Sequence, residues 1–482
     1  MTAQEALKTY FGYDSFRPGQ DTVVSALLSG RDALAIMPTG AGKSLCYQIP
    51  ALLLPGLTLV ISPLISLMQD QVKGLSAAGI PAAYINSALT ENQIAKALQL
   101  AAQGSYKIIY VAPERLESPT FQSFAASAEI SMLTVDEAHC ISQWGQDFRP
   151  SYLRILDFID SLPRRPIVSA FTATATREVK DDIAQTLRLR DPEIVITGFD
   201  RPNLYYRVET TRRKDAFVAD YVRSHPGESG IIYCATRKNV DAVQEMLRSE
   251  DIPAARYHAG MTNEERRQSQ NDFIYDTAPV IVATNAFGMG IDKSNVRYVI
   301  HYNMPQSMEN YYQEAGRAGR DGLPSQCILL FSPQDIVINR FLLDHKENDD
   351  LDDEAADLLR ARDNQRLQAM TNYCQTTGCL RNYILRYFGE EPAEPCGSCG
   401  NCDREFEEVD MTAQAKWMIN CVAETRGRYG KGVVLNTLRG ANMARLRELG
   451  AMNYRSYGQL KDCTRDELDL SLIHISEPTR LR

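Results

Sequence analysis

A short apolar stretch that runs into a glycine-rich turn constrains the fold of this chain most. Residues 32–37 predict a buried strand, and the turn Pro38-Thr39-Gly40-Ala41-Gly42-Lys43-Ser44 precedes a helical pattern. In such a unit the backbone N–H groups and the helix N-terminus face phosphate oxygens. The lysine neutralises their charge and the serine hydroxyl binds Mg²⁺. The pattern therefore predicts an α/β fold with a nucleotide site at the end of its first strand.

The residue before this turn narrows the class of protein. The long form of the phosphate-loop motif has a glycine where this chain has Met37. The shortened form is typical of helicase-like ATPases. A glycine-rich turn without a ligand is the alternative, and the second motif, described next, argues against it.

A pair of adjacent carboxylates supplies the second part of an ATPase site. The apolar residues Met132, Leu133 and Val135 predict a strand that ends at Asp136-Glu137. We expect Asp136 to hold Mg²⁺, directly or through water, and Glu137 to orient or deprotonate the attacking water. The Asp-Glu-Ala-His tetrapeptide alone indicates little. At the end of an apolar strand that follows a phosphate loop, it is a strong indication of ATP hydrolysis.

The residues directly after these carboxylates are typical of a nucleic-acid-binding loop. Trp144, one of two tryptophans, stands with Phe148 among glycine, glutamine and arginine residues. Aromatic rings stack on bases in loops of this kind. His139 is either a core histidine or, as we expect, part of the coupling between the two motifs. Two chemistries joined without a spacer suggest a motor that reports the state of its nucleotide to a nucleic-acid strand.

Further strand-like segments alternate with helical ones through the first 199 residues. This alternation predicts a parallel sheet, and each strand ends in a polar cluster that begins at Ser62, Ala112 or Thr172. Binding sites of such sheets lie at the carboxyl ends of the strands, so the clusters together predict one functional edge. Each cluster alone could be only a turn. The additional strands are predicted at residues 58–62, 108–112 and 167–171.

A second lobe of the same kind is predicted after a break at Asp200-Arg201-Pro202-Asn203. It has no phosphate loop, but residues 313–320 include Arg317 and Arg320, near one face of a helix or at its end. An arginine that reaches a γ-phosphate from a second lobe couples closure to hydrolysis. An ordinary surface pair is the alternative. Strands are predicted here at residues 230–234, 254–258, 279–284, 296–302 and 326–331.

Three residues upstream of the first strand are candidates for contacts with adenine. Gln20 could read the base through its paired donor and acceptor groups, and Tyr13 and Arg17 could stack on it. A plain N-terminal turn would have a similar composition.

Length and composition limit the class of protein. A chain of 482 residues exceeds one ordinary core, so two to four domains are expected. With 44% hydrophobic and 23% charged residues, no membrane-length apolar run and no secretion signal, we expect a soluble cytoplasmic protein without a membrane partner. The net charge of −9 argues against a general polyanion binder. Residues 421–465 are nevertheless basic, which indicates either a local nucleic-acid surface or a solvated face.

Four of the eleven cysteines form a cluster in the last quarter of the chain. Cys379, Cys396, Cys399 and Cys402 include overlapping Cys-x-x-Cys pairs, and in a cytoplasmic chain such a cluster indicates a metal before a disulfide. Four thiolates can close a tetrahedral Zn²⁺ site at about 2.3 Å per ligand. On spacing alone, Cys374 competes with Cys379 for the first position.

Taken in order, these motifs resemble those of the RecQ family of DNA helicases in superfamily 2, of bacterial type. The similarity extends over roughly residues 5–465 and is densest at residues 16–20, 136–148, 287–293 and 313–320 and at the cysteine cluster. The resemblance implies that ATP is bound by Tyr13, Arg17, Gln20, Thr39, Gly40, Ala41, Gly42, Lys43 and Ser44. It implies catalysis by Lys43, Asp136, Glu137, Arg317 and Arg320, with Mg²⁺ on Ser44 and Asp136. It implies coupling to DNA through His139, Gln143, Trp144, Phe148 and Arg149, and Zn²⁺ on Cys379, Cys396, Cys399 and Cys402.

The resemblance also implies an architecture. We expect an α/β fold in which two RecA-like parallel-sheet lobes in tandem precede a helical zinc-binding module and a partial winged helix. The expected lobes are residues 1–199 and 200–342, and the zinc-binding domain is residues 343–407. A truncated winged-helix domain is expected at residues 408–470, and residues 471–482 are expected to be a non-native tail.

The activity implied by the resemblance is ATP-dependent unwinding of duplex DNA. The implied cofactors are ATP, Mg²⁺ and Zn²⁺, the implied polarity is 3′ to 5′, and the implied pathways are recombination, repair and the SOS response. The implied partners are single-stranded DNA and forked or tailed duplex DNA, and single-strand-binding protein is left open as a further partner. A monomer in the bacterial cytoplasm, associated with the nucleoid, is expected.

Two other functions stay open on the sequence. An RNA-remodelling ATPase of the DEAD/DEAH class would share the motor, but the cysteine cluster and the loop of Trp144 argue against it. A non-unwinding protein that only binds forks is the second alternative, because the C-terminal end looks truncated. The presence of Lys43, Glu137 and Arg320 argues against that alternative.

Overall fold

A fully parallel sheet of seven strands forms the core of the first lobe. The strands are β1 (Ala33–Ile36), β2 (Leu57–Ile61), β3 (Ala82–Ile85), β4 (Ile108–Val111), β5 (Ile130–Val135), β6 (Ile167–Thr172) and β7 (Glu193–Ile196). They lie in the order β3-β4-β2-β5-β6-β1-β7, and each neighbouring pair is parallel. Every residue of β1, β2 and β4 is buried, because helices cover both faces of the sheet.

The computed structural model describes residues 1–142, 144–145, 147–287, 293–345, 353–404, 410–464 and 467–468. The chain divides into two units, residues 1–403 and residues 404–482, which are treated separately. Among the described residues, no helix has both the length and the apolar composition that a membrane span requires.

The helices of the first lobe connect successive strands. They are α1 (Ala3–Ala6), α2 (Gln20–Leu28), α3 (Lys43–Leu53), α4 (Ile65–Ala77), α5 (Glu91–Ala102), α6 (Pro119–Ser127), α7 (Pro150–Ser161) and α8 (Arg177–Thr186). A π-helical turn (Leu7–Phe11) extends α1, and 3-10 turns occupy Pro113–Arg115 and Ala138–Ile141. Thr90 and Thr176 cap the N-termini of α5 and α8 with their side chains, which satisfies N–H groups that a helix start leaves unpaired.

The second lobe repeats the arrangement with a six-stranded parallel sheet. Its strands are β8 (Leu204–Thr210), β9 (Ser229–Tyr233), β10 (Ala254–Tyr257), β11 (Val280–Ala283), β12 (Val296–His301) and β13 (Ser325–Phe331). Their order is β10-β11-β9-β12-β13-β8, with parallel neighbours throughout. Its helices are α9 (Lys214–Ser224), α10 (Arg237–Ser249), α11 (Asn263–Ile274), α12 (Met308–Ala315) and α13 (Pro333–Asp344).

Two helices that follow the second lobe complete the first unit. They are α14 (Asp353–Gln375) and α15 (Leu380–Tyr387), and the cysteine cluster lies around the start of α15 and the segment after it. Aromatic contacts hold this region to the lobes. The rings of Tyr373 and Tyr311 lie 5.1 Å apart, and Phe388 stacks on Phe199 with 4.5 Å between ring centroids.

The predicted architecture of two parallel-sheet lobes followed by a helical zinc-binding region is confirmed. Three strands were not predicted: β3, β7 and β8. Each lies at the edge of its sheet, where one side of the strand has no neighbour. β7 and β8 alternate between more and less exposed residues, so they lack the continuous apolar run that marks a central strand.

The second unit is helical where the structure describes it. It contains α16 (Thr412–Glu424), α17 (Lys431–Leu438), α18 (Ala444–Glu448) and a 3-10 turn at Ala451–Asn453 around a small apolar core. Within residues 410–464 and 467–468 no strand is present, so the wing strands of a winged helix are not found there. The expected tail at residues 471–482 lies outside the described residues.

Candidate active site and nucleic-acid interface

Three loops of the first lobe meet at one edge of its sheet. Strands β5, β6 and β1 are neighbours, and because they are parallel their carboxyl ends lie side by side. β1 leads into the phosphate loop (residues 38–42), β5 ends at Asp136, and β6 ends at Thr172. The predicted functional edge is therefore where the candidate catalytic residues lie.

Two glycines of the phosphate loop are required by its geometry. Gly40 and Gly42 adopt φ values of +85° and +80°, a region that side chains disfavour. A Cβ on Gly42 would also lie 2.5 Å from Nε2 of Gln20, and one on Gly40 would lie 3.3 Å from Cγ of Arg320. Gln20 and Arg320 therefore pack closely against the loop. The loop ends at Gly42, the N-cap of α3, so its backbone N–H groups adjoin the N-terminus of that helix.

Lys43 lies among charged groups at the start of α3. Its Nζ donates to the carbonyl oxygen of Met37 at 3.1 Å, which keeps the side chain folded over the loop. Burial lowers the pKa of Lys43, whereas the negative charges of Glu137 and Asp136 oppose that shift. A cationic side chain held in this way suits the β- and γ-phosphates of a nucleotide.

Asp136 is a buried carboxylate in a setting that favours a cation. It is 7% exposed, and its Oδ1 accepts from the N–H of Glu137 at 3.0 Å. Burial, and next the charge of Glu137, raises the pKa of Asp136 to about 7. A divalent cation would favour the ionised form, so Asp136 and the hydroxyl of Ser44 at the start of α3 fit Mg²⁺.

Glu137 has an unusual backbone for a residue with a side chain. Its φ is +48°, in the left-handed region that non-glycine residues rarely occupy. Such strain often marks functional sites, where surrounding structure holds the residue in place. Its buried Oε2 has no hydrogen-bond partner within the part of the chain that the structure describes. That oxygen is an acceptor suited to a water molecule at the site.

A polar path runs from Glu137 toward the second lobe. His139 Nδ1 lies 3.3 Å from Oε2 of Glu137 and 3.0 Å from Oγ1 of Thr172. Burial lowers the pKa of His139, so the neutral ring is favoured. Thr172 in turn donates to the carbonyl of Thr174 at 3.1 Å, and the Thr174 hydroxyl accepts from Gln313 Nε2 at 3.1 Å.

The second lobe brings its two candidate arginines to the phosphate loop. Arg317 and Arg320 lie in the arginine loop (residues 316–324), which connects the end of α12 to β13. The methylene carbons of Arg320 pack against Gly40 so closely that a side chain on that glycine would touch them, and the charge of Arg320 acts on Lys43. Arg317 is 8% exposed. The two lobes thus meet at the candidate nucleotide site.

The three residues suggested for adenine lie beside the same loop. Nη1 of Arg17 donates to the carbonyl of Gly40 at 2.5 Å. Gln20 donates to the carbonyls of Ala41 and Gly42 at 2.9 and 3.1 Å, and its Oε1 accepts from the N–H of Arg17. Tyr13 is half-exposed. In this arrangement the amide of Gln20 is engaged by the protein, so reading a base would require it to exchange these bonds.

The aromatic loop after Glu137 contacts the helical region near the cysteines. The guanidinium of Arg362 in α14 lies 3.4 Å from the ring centroid of Trp144, and Arg366 donates to the Trp144 carbonyl at 2.5 Å. Trp144 is nevertheless 47% exposed, so part of the residue is accessible for stacking. Nothing in the sequence near Arg362 or Arg366 indicated this contact, because it joins residues far apart in the chain.

Phe148 and Arg149, which were also predicted to couple the site to DNA, differ in their contacts with the rest of the lobe. Phe148 is half-buried, and Arg149 pairs with Asp147 at 2.8 Å and donates to the carbonyl of Pro63 at 3.3 Å. Arg149 therefore joins the loop to the end of β2. Gln143 lies outside the described residues.

The four clustered cysteines come together around one point. Their sulfur atoms all lie within 4.8 Å of one another, close to the separation of about 3.8 Å that tetrahedral bonds of 2.3 Å require. Cys374 is instead buried in the aromatic core. The geometry therefore favours Cys379 as the first member of the cluster.

Backbone groups around the cluster suit thiolates. The backbone N–H groups of Asn382 and Cys396 both donate to Cys379 Sγ. The N–H of Leu380 donates to Cys399 Sγ, and that of Ser398 donates to Cys396 Sγ. Each of these distances is 3.4 Å. Burial disfavours ionisation of Cys396, but the N–H of Ser398 and the side chains of Cys379, Arg381 and Cys399 outweigh it and lower the pKa of Cys396 to about 7. Such outer contacts are typical of metal sites, so the residues fit Zn²⁺.

Four family descriptions match the chain in succession. The DEAD/DEAH box helicase family matches residues 17–182, and the helicase conserved C-terminal domain matches residues 213–322. The RecQ zinc-binding family matches residues 333–403, and the RQC domain matches residues 405–473. This order follows that of the two lobes, the cysteine region and the second unit.

Individual relatives are similar over most of their length. The ATP-dependent DNA helicase RecQ of Bacillus subtilis (strain 168) is 46% identical over 95% of this chain and 76% of that protein. Its counterpart in Pasteurella multocida (strain Pm70) is 41% identical over 97% of this chain and 72% of that protein. The structure of the DUF1998 helicase MrfA bound to DNA aligns with a TM-score of 0.59 over 80% of this chain and 54% of that one; at 18% identity it supports the fold alone. The two lobes, the cysteine cluster and the identity over nearly the whole chain together show that this protein belongs to the RecQ family of ATP-dependent DNA helicases.

Proposed function

We propose that this chain hydrolyses ATP between its two lobes and uses the cycle to move along single-stranded DNA and separate duplex DNA. The observation that carries this proposal is the contact of the arginine loop with the phosphate loop, where Arg320 packs against Gly40. A nucleotide in the phosphate loop would lie between the charges of Lys43 and Arg320. Opening and closing of that junction can therefore depend on the state of the nucleotide.

Each residue of the site has a role that its surroundings support. Lys43 and the N–H groups of the phosphate loop bind the phosphates. Glu137 orients the attacking water and takes its proton, and Arg320, with Arg317 beside it, stabilises the charge that develops on the transferred phosphoryl group. Mg²⁺, when bound through Ser44 and Asp136, supplies charge neutralisation on the phosphate oxygens. Tyr13, Arg17 and Gln20 are assigned to the adenine.

Coupling to DNA uses the loop that carries Trp144. Glu137 and His139 lie a few residues before Trp144 in the chain. Trp144 is partly exposed. Stacking of a base on an aromatic ring contributes about 1–3 kcal/mol and tolerates any sequence, which suits a motor that must pass every base. A displacement of Trp144 is transmitted through the short segment to His139 and so to the oxygen of Glu137.

The cysteine cluster has a structural role. Zn²⁺ held by Cys379, Cys396, Cys399 and Cys402 fixes the start of α15 to the segment after it. Because α15 packs on the lobes through Phe388 and Phe199, folding of this region also supports the site.

We assign the remaining features by family. The domains are residues 1–199, 200–342, 343–407 and 408–470, and the basic second unit contributes to duplex binding. Polarity is 3′ to 5′ on tailed or forked DNA, in recombination and repair. The protein acts as a monomer in the bacterial cytoplasm at the nucleoid, with single-strand-binding protein as a candidate partner.

Replacing the phosphate-loop lysine tests the assignment of the ATP site. Lys43→Ala should lower the kcat of ATP hydrolysis by at least about a hundredfold, because it removes the cation that faces the phosphates. Weak binding of single-stranded DNA, measured by fluorescence anisotropy, should persist. Lys96→Ala, at an exposed position of α5, is the matched control and should hydrolyse ATP normally. A Lys43→Ala protein that keeps the kcat of the parent would show that ATP is not hydrolysed at this phosphate loop.

Removing the exposed aromatic ring tests coupling. Trp144→Ala should keep basal ATP hydrolysis within about threefold of the parent and lose its stimulation by single-stranded DNA, since the stacking contact is gone. Tyr275→Ala, which removes the aromatic ring of a residue that is 71% exposed on the second lobe, should retain stimulation. Equal loss of basal and stimulated activity in Trp144→Ala would make the ring a core residue instead.

Two cysteine substitutions test the zinc assignment and its register. Cys399→Ser should give unstable or insoluble protein with little zinc, because one of four ligands is lost. Cys374→Ser should keep one zinc per chain by atomic absorption, because this thiol lies in the aromatic core. A stable, fully active Cys399→Ser protein without zinc would contradict a structural zinc site.

Strand displacement tests activity, substrate and polarity together. We expect the chain to unwind a duplex with a 3′ single-stranded tail and to leave a 5′-tailed duplex intact. DNA oligonucleotides should stimulate ATP hydrolysis more than RNA oligonucleotides of the same sequence. Preference for RNA would favour the RNA-remodelling alternative, and DNA binding without unwinding or hydrolysis would favour the fork-binding one.

A further inference from the structure

The linker residue Arg201 bonds to both lobes through one side chain. Its Nη1 donates to the carbonyl of Thr39 in the phosphate loop at 3.1 Å and to that of Gly316 at 3.3 Å. Its Nη2 donates to the carbonyls of Ala318 and Gly319, each at 3.0 Å. The last three carbonyls follow the C-terminus of α12, where the helix dipole favours a cation. A single guanidinium therefore joins the phosphate loop to the arginine loop.

All the donors of this guanidinium are used. Nε donates to Oδ1 of Asn203 at 3.4 Å, so each of the five N–H groups of Arg201 has an acceptor. A lysine has three donors on one nitrogen and no planar fork, so it cannot span the same set of carbonyls. The bond to Thr39 is the one that crosses between the lobes, and it lies next to Gly40, where Arg320 packs.

The backbone that carries Arg201 is fixed by a second arginine. Arg381, in the first turn of α15, donates to Oδ1 of Asp200 at 2.8 Å and to the carbonyl of Arg201 at 2.7 Å. It also donates to the carbonyls of Pro202 and Leu204 at 3.4 and 2.7 Å. Arg381 is 5% exposed, so the linker is held from the side of the cysteine region.

We propose that Arg201 is a positioning residue for ATP hydrolysis. It holds the phosphate loop and the arginine loop in the arrangement that places Arg320 against the nucleotide, and Arg381 keeps the linker in the conformation that allows this. The inference rests on the proposed ATP site between the lobes. Because Arg201 bonds to backbone carbonyls, its loss should affect the step that needs both lobes more than the binding of ATP to the first lobe.

Steady-state kinetics of the full chain test this role. Arg201→Ala should lower the kcat of DNA-stimulated ATP hydrolysis by about ten- to a hundredfold, while KM and the Kd of a fluorescent ATP analogue change by less than about threefold. Arg201→Lys keeps the charge but loses the fork, so its kcat should fall by about three- to tenfold. Asn203→Ala is the matched control: it removes two donated bonds that end in the second lobe, at Gly319 and Leu323, and the 3.4 Å bond from Arg201 Nε, but leaves the bond of Arg201 to Thr39 in place. Its kcat should stay within about threefold of the parent.

A second comparison tests the part played by Arg381. If Arg381 acts through Arg201, the loss of kcat in the double variant Arg201→Ala/Arg381→Ala should be clearly smaller than the product of the two single losses. A loss of kcat in the double variant equal to the product of the two single losses would show that Arg381 acts independently of Arg201. That result would overturn the inferred connection between them. Thermal melts and zinc content identify losses that come from misfolding.

The outcomes separate this inference from the proposed function. An Arg201→Ala or Arg201→Lys protein that melts like the parent and keeps its kcat would overturn the positioning role, as would a rise in KM alone. Loss of the same size in Asn203→Ala would show that only the contacts within the second lobe matter. If the parent chain itself shows no DNA-stimulated hydrolysis while Lys43→Ala behaves identically, the proposed function is what fails.

Discussion

The burial of Lys43 beside two carboxylates is the interaction on which the rest of this structure depends. Burial disfavours the charged forms of Lys43 and Asp136, and the charge of Glu137 adds repulsion at Asp136, whereas the attraction between Lys43 and the two carboxylates opposes these effects only while the groups are held close together. The sheet does this, because β1 and β5 flank β6 and deliver the charges at one edge. The shifted pKa values of Lys43 and Asp136 are the electrostatic result, and they describe a site suited to a phosphate-bound cation.

The second lobe completes the site from the opposite side of the junction. Lobe one presents the carboxyl edge of its sheet, whereas lobe two presents a loop near the start of β12, where the N–H of Gly319 bonds to Val296. Two similar sheets therefore contribute through different edges. Arg201 and Gln313 are among the described residues that make polar bonds across this junction, to Thr39 and Thr174. Small movements of one lobe relative to the other would lengthen or break these bonds.

The helical region around the cysteines contacts both the loop of Trp144 and the linker between the two lobes. Arg362 and Arg366 of α14 contact the loop of Trp144, and Arg381 of α15 holds the linker. A structural zinc site therefore has consequences beyond the stability of its own segment. It supports the helices that contact the loop of Trp144 and the linker between the lobes.

Local sequence alone determined the central strands, the phosphate loop, Asp136, Glu137 and the cysteine cluster, because each depends on a continuous apolar run or a fixed short spacing. It did not determine the edge strands β3, β7 and β8, whose single buried face leaves a weaker pattern. Only the tertiary structure decided that Gln20 is engaged by the phosphate loop, and that Cys374 belongs to the core. It also decided that Arg201, Arg362 and Arg381 act on distant segments. These contacts join backbone carbonyls and rings brought together by folding, and no local spacing encodes them.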